Sequence, residues 1–211
     1  MRVQITETKI YTFAELSEPA KAKAIEWYSQ TEGEWWEPEF DDFLSIAAIL
    51  GFHLKQERVR LMNGSYRDKP AIYYSGFWSQ GDGACFNASY CYAKGCKAAI
   101  RAYAPKDIAL HKIADRLAAI QRPFFYRLTG QSKHNGRYCH EYSMAIDVED
   151  SNNPYRAIGD AESDIIECFR DLARWLYQQL QSEYEYRTSE ESAIGGIETN
   201  AYEFDVNGKV I

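Results

Sequence analysis

The chain has 211 residues, of which 45% are hydrophobic, 26% charged and 15% aromatic, and it carries a net charge of −7. That length can bury a substantial core, and so many aromatic side chains exclude intrinsic disorder for most of it. No run approaches the roughly 18 uninterrupted apolar residues of a membrane helix, and the opening stretch lacks the basic-then-apolar order of a secretory signal. A cytoplasmic protein without a membrane partner is expected.

In chain order, Met1–Tyr11 alternates weakly and reads as a short strand. Thr12 and Glu15 have capping-box spacing, and a second helix start lies at Ser17, with Pro19 in the first turn. Leu16, Ala20, Ala24, Trp27 and Tyr28 then form a helical stripe ending near Gln30. Trp35-Trp36-Glu37-Pro38 leads into a second helix over Glu39–Leu50, stopped by Gly51. From Phe52 the period falls to two. Phe52–Leu61, Ala71–Trp78 and Ala84–Tyr92 read as strands, the last two joined through Ser79-Gln80-Gly81-Asp82-Gly83. Gly95–Ala102 is an apolar run of unsettled type. Asp107 caps a helix over Ile108–Ile120. Strands follow over Phe124–Leu128 and Tyr138–Val148, around an Asn135-Gly136 hairpin turn. After Ser151–Pro154 the longest helix runs from about Ala161 to Tyr184, then a short one over Ser189–Ile197, then a tail through Tyr202–Phe204.

The order of elements implies an α+β fold in a single domain, with an antiparallel sheet of about five strands covered by amphipathic helices. Residues 1–50 form its helical N-terminal part, 51–148 mainly sheet with one helix, and 160–211 its helical C-terminal part. Charge follows this division. Residues 1–50 hold 4 bases and 10 acids, 51–140 hold 15 and 5, and 141–211 hold 5 and 16. Acidic helices from both ends would cover a basic central sheet, or leave it open to an anionic partner.

Cys85, Cys91, Cys96, Cys139 and Cys168 are odd in number and contain no CxxC pair. That argues for reduced cysteines, against a disulfide framework and against a four-cysteine zinc site. No metal and no cofactor is expected. The Gly81-Asp82-Gly83 turn is the foremost candidate site, because two glycines let the backbone approach a ligand around an exposed carboxylate, with Trp78 and Gln80 beside it. The same turn also suits a local Asx bond. It is neither a Walker loop nor a GxGxxG fingerprint. His134 and His140 flank the Asn-Gly turn, with Cys139 and Glu141 adjacent. They suit acid–base work or a metal set, though their spacing matches no familiar motif. His53 and His111 read as packing or solvent-facing residues. Trp35 and Trp36, beside four acids, suit a protein-docking patch or an ordinary helix entry. Aromatics interleaved with Arg58, Arg60, Arg67, Lys69 and Lys97 suit base stacking and phosphate tracking, or simply strand packing.

Three stretches carry a resemblance: Tyr11-Thr-Phe-Ala-Glu-Leu-Ser-Glu-Pro-Ala-Lys-Ala-Lys-Ala, Ser75-Gly-Phe-Trp-Ser-Gln-Gly-Asp-Gly-Ala-Cys-Phe and Asn200-Ala-Tyr-Glu-Phe-Asp-Val-Asn-Gly. Together the chain resembles a family of uncharacterised bacteriophage and prophage proteins, some labelled as the antitoxin of a toxin–antitoxin system. The resemblance implies an accessory phage protein that acts on a host component, and carries no site residues over. Three functions stay open. The first is non-enzymatic binding of a host protein, as a defence-system inhibitor or toxin neutraliser. The second is an enzyme or small-ligand binder at Gly81-Asp82-Gly83. The third is nucleic-acid binding through the basic aromatic sheet.

Overall fold

The computed structural model describes residues 9–30, 33 and 35–211. The class is α+β with antiparallel sheets. The contacts fall into two compact units. The smaller takes the described residues up to Trp35 together with Gln181–Ile211, and the larger is Trp36–Leu180.

In the smaller unit the Thr12 backbone N–H and hydroxyl both donate to Glu15 Oε2, at 2.8 and 2.9 Å, around a single 3-10 turn at Phe13–Glu15. Helix α1 (Glu18–Gln30) follows and packs on α6 (Glu190–Thr199), whose N-cap Ser189 accepts from the Ser192 N–H at 3.3 Å. Phe13, Leu16, Ala20, Ala24, Ile197 and Phe204 form the core. Trp27 lies edge-on to Tyr202 with ring centroids 5.1 Å apart. Tyr11 and Phe204 exchange two backbone hydrogen bonds of 2.9 Å as an antiparallel bridge. The remainder of the strand expected over Met1–Tyr11 lies largely outside the described residues.

The larger unit opens with α2 (Glu37–Leu50), which takes Pro38 in its first turn, where the missing N–H costs nothing. Gly51 ends it at φ +93°, a left-handed conformation. A Cβ there would sit 2.1 Å from the Cys91 carbonyl oxygen, so only glycine fits. The strands are β1 (Phe52–Leu54), β2 (Gln56–Arg60), β3 (Tyr66–Pro70), β4 (Ile72–Tyr74), β5 (Ala84–Phe86) and β6 (Ala88–Cys91). Helices α3 (Cys96–Tyr103) and α4 (Ile108–Gln121) come next, then β7 (Leu128–His134) and β8 (Met144–Asp150). The last element, α5 (Asp160–Arg187), belongs to this unit up to Leu180.

Strands β1, β6, β7 and β8 make a four-stranded antiparallel sheet in that order, and β2–β3 and β4–β5 pair in two separate ladders. Register puts Phe52 opposite Tyr90, Tyr90 opposite Gly130, and Gly130 opposite Val148. Period-two alternation gives this row one side of the sheet. Phe169 of α5 seals it, perpendicular to Phe52 at 4.7 Å and edge-on to Tyr90 at 6.1 Å. Gly130 makes that approach possible, since a Cβ there would lie 3.0 Å from the Phe169 ring. Phe43 of α2 closes the core between Phe86 and Trp175. The opposite face of the sheet carries the partly or fully exposed His53, Ser89, Cys91, Thr129, Gln131, Asp147 and Glu149.

Four details differ from expectation. The main sheet has four strands rather than about five. The runs 52–61 and 84–92 each break once, because the Lys55 N–H donates to Asn87 O while the Ala71 N–H donates to Lys55 O, so the strands exchange partners there. Instead of a strand, 122–126 is a 3-10 turn followed by positive φ at Phe125 and Tyr126. The β7–β8 hairpin forms, but its connection spans 135–143, because the Asn135 N–H reaches Ser143 O and 141–143 makes its own turn. The unsettled run 95–102 is helical. Among the described residues no helix is long and apolar enough to cross a membrane.

Candidate functional site

The β4–β5 connection, residues 75–83, is built around Asp82. Its Oδ2 accepts the backbone N–H of Ser79 at 2.6 Å and of Trp78 at 2.9 Å, and its own N–H donates to Ser79 O at 2.9 Å. The Ser79 N–H, with the others, holds this carboxyl below the ordinary carboxylate range. Asp82 therefore ties its own loop together, the local Asx arrangement, rather than presenting a free carboxylate. Below the tip, the Tyr177 hydroxyl donates to Gly76 O at 3.1 Å, and Phe77 lies between Tyr74 and Tyr177. Trp78 is 82% exposed at the tip, and Gln80 is exposed beside it.

This loop lies against the segment 134–143. The Ser75 hydroxyl donates to Cys139 O and accepts from the Gly83 N–H, both at 3.3 Å. Gly83 abuts His140, and Gly81 abuts Tyr138. Trp78, Gln80, Asp82, His134 and His140 thus sit on two neighbouring segments. The cleft of about 410 Å³ between α4 and α5 is lined by Lys112, Arg116, Asp171, Arg174, Trp175 and Gln178, and another of about 610 Å³ lies over the open sheet face. Asp82 lines neither.

Where the two segments meet, Cys85 of β5, His134 at the end of β7 and Cys139 bring one thiol, one imidazole and a second thiol together, with donor atoms all within 4.8 Å. Register helps to place them, since Cys85 pairs with Tyr73, whose ring stacks on His134 at 4.8 Å and 30°. The Nε2 of His134 lies 3.1 Å from Tyr138 O. A carbonyl only accepts, so Nε2 is the protonated partner in this contact. Burial pushes the Cys85 thiol up to about 12 and the Cys139 thiol upward too, so neither is a free nucleophile near neutrality. His140 turns to a different set of partners. Its Nδ1 is 2.9 Å from Glu141 Oε2, and Glu141 Oε1 accepts from Arg174 Nε at 3.0 Å. Arg174 also bonds Glu167 and Asp171, each at 2.6 Å. Sequence reading paired His134 with His140 and overlooked Cys85, because no short spacing links β5 to the hairpin.

Trp35 is buried and packs on Tyr184 at 5.9 Å, while Trp36 is half-buried against Tyr74 at 6.0 Å. The aromatics Phe86 and Tyr90 of the basic segment are fully buried. Three of its cations pair with acids from the flanking segments: Arg67 meets Glu37, Arg116 meets Asp164 and Asp171, and Arg127 meets the buried Asp150, while Lys97 and Arg101 pair within the segment with Asp115. Residues 36–180 hold eighteen acids and eighteen bases. Segments 1–35 and 181–211 hold thirteen acids against six bases, and so carry the whole net charge of −7.

No curated protein and no solved structure matches the chain. A family model described as "Domain of unknown function (DUF8835)" matches residues 35–190, which include the whole of the larger unit and all of α5. By that match over most of its length, the chain belongs to the DUF8835 family.

Proposed function

We propose that the protein is a non-enzymatic binding protein whose acidic unit docks a basic protein partner. The observation that carries this reading is the partition of charge. Residues 36–180 hold equal numbers of acids and bases, some of them in ion pairs such as Arg116–Asp164 and Arg127–Asp150, while segments 1–35 and 181–211 carry all seven net negative charges. Glu185, Glu190, Glu191 and Glu198 are exposed, and among the described residues none of the four pairs with a cation. A surface of unpaired carboxylates raises encounter rates with cationic proteins and disfavours nucleic acid. The buried aromatic sheet face and the self-bonded Asp82 weigh in the same direction. The partner fits the host protein of a phage or prophage accessory role, in the cytoplasm, where a nucleic-acid-binding protein would meet an acidic surface in place of its own ligand.

The test is capture from nuclease-treated bacterial lysate, comparing the natural chain with a variant carrying Gln at Glu185, Glu190, Glu191 and Glu198. A basic protein retained by the first and lost by the second is the expected result. Capture that the variant retains in full removes this surface from the function.

A further inference from the structure

We propose that Cys85, His134 and Cys139 form a binding site for one borderline-soft divalent ion of the zinc class. The donors are two thiolates and one imidazole, a set that suits zinc and disfavours the hard cations magnesium and calcium. A tetrahedral zinc with these ligands needs donor separations of about 3.5–3.8 Å. The three donor atoms already lie within 4.8 Å of one another, so closing on an ion takes side-chain adjustment of about an ångström rather than a change of backbone. No such grouping follows from a single strand or turn. Cys85 comes from β5, His134 from β7 and Cys139 from the 135–143 connection, so the site is made by tertiary structure.

The surroundings are those of a metal ligand set. His134 Nε2 lies 3.1 Å from Tyr138 O, a contact that orients the ring, as a carbonyl commonly does behind a metal-bound imidazole, and that in the neutral ring would free the other nitrogen to coordinate. Tyr73 stacks on the same ring, and its hydroxyl is held by Glu57 and Asn87. The backbone on both sides is anchored as well, with the His134 N–H on Asn87 Oδ1 and the Ser75 hydroxyl on Cys139 O. Cys85 is fully buried whereas His134 and Cys139 are half-buried, so the ion is reached from the outer side. Three protein ligands leave the fourth position to water. Binding replaces two S–H bonds by two metal–sulfur bonds and releases two protons to solvent, with no redox change. The ion would staple β5 to the hairpin, and with it the loop that carries Trp78.

The test uses the full chain, fully reduced and then freed of metal, with cobalt(II) and zinc(II) as probes. Thiolate-to-cobalt charge-transfer absorption and uptake of one zinc per chain are expected, measured against a competing chromogenic chelator. Cys139→Ser and His134→Gln should each weaken zinc binding by about a hundredfold or more. Both side chains are only half-buried, and circular dichroism of the two variants checks that they fold. A reduced natural chain that takes up no zinc overturns the proposal. So does uptake that either folded variant leaves unchanged, and so does a Cys85–Cys139 disulfide that persists under reductant in place of metal binding.

Discussion

Asp107 joins two elements of the larger unit, and its removal gives a stability change whose size follows from the geometry. One carboxylate oxygen accepts the Leu110 N–H at 3.0 Å and caps α4, and the other accepts the indole N–H of Trp175 at 2.7 Å. Losing an N-cap costs about 1 kcal/mol. Trp175 is only 6% exposed, so its orphaned N–H adds about 1–3 kcal/mol. Asp107→Ala should therefore destabilise the protein by about 2–4 kcal/mol. Asn offers a single acceptor oxygen, so Asp107→Asn can keep the cap or the indole bond but not both, turns its NH2 donor toward the other N–H, and should cost about 1–3 kcal/mol. Trp175→Phe removes the donor while keeping most of the packing against Phe43, and a double-mutant cycle between the two sites should show coupling of about 1–2 kcal/mol. Urea unfolding followed by far-ultraviolet circular dichroism, with an unchanged m-value, measures all four species. An Asp107→Ala loss below about 1 kcal/mol, or additive single substitutions, would refute the reasoning.

Gly51→Ala forces a Cβ into a left-handed residue and onto the Cys91 carbonyl, and should cost about 3 kcal/mol or more by the same unfolding assay. Asp82→Ala should leave global stability within about 1 kcal/mol but release the 77–81 backbone, read as faster amide exchange at Trp78 and Ser79. The buried Asp150 is held below the ordinary carboxylate range, first by the Asn152 N–H and then by Arg127 and Arg156. Its contribution is complete above that range and is lost as pH falls through the depressed value, so Asp150→Asn should flatten the acid limb of a urea-midpoint against pH profile.

Local signals in the sequence survive into the structure, and non-local ones do not. Asp107 caps the helix it was expected to cap and Gly51 ends α2, because each acts within one turn of backbone. The break at Lys55 depends on Asn87 and Ala71, so period-two alternation alone cannot place it. The positively charged middle of the chain is offset only in part by folding: Glu37, Asp150, Asp164 and Asp171 return from both flanks to pair with Arg67, Arg116 and Arg127, and the net acid of the chain lies in segments 1–35 and 181–211. At the candidate site, turn chemistry marks the 75–83 loop and the 134–143 hairpin separately. Their contact, and with it the grouping of Cys85 with His134 and Cys139, could not be read from it, because both need the β4–β5 ladder and the end of β7 placed side by side.

The acidic-docking account is tested most directly by the association rate of a purified basic partner as a function of ionic strength. For the natural chain the rate should fall steeply as salt rises, and at low salt the variant with Gln at Glu185, Glu190, Glu191 and Glu198 should associate about tenfold more slowly with a nearly unchanged dissociation rate. Association that is equally fast for both chains and indifferent to salt would contradict it.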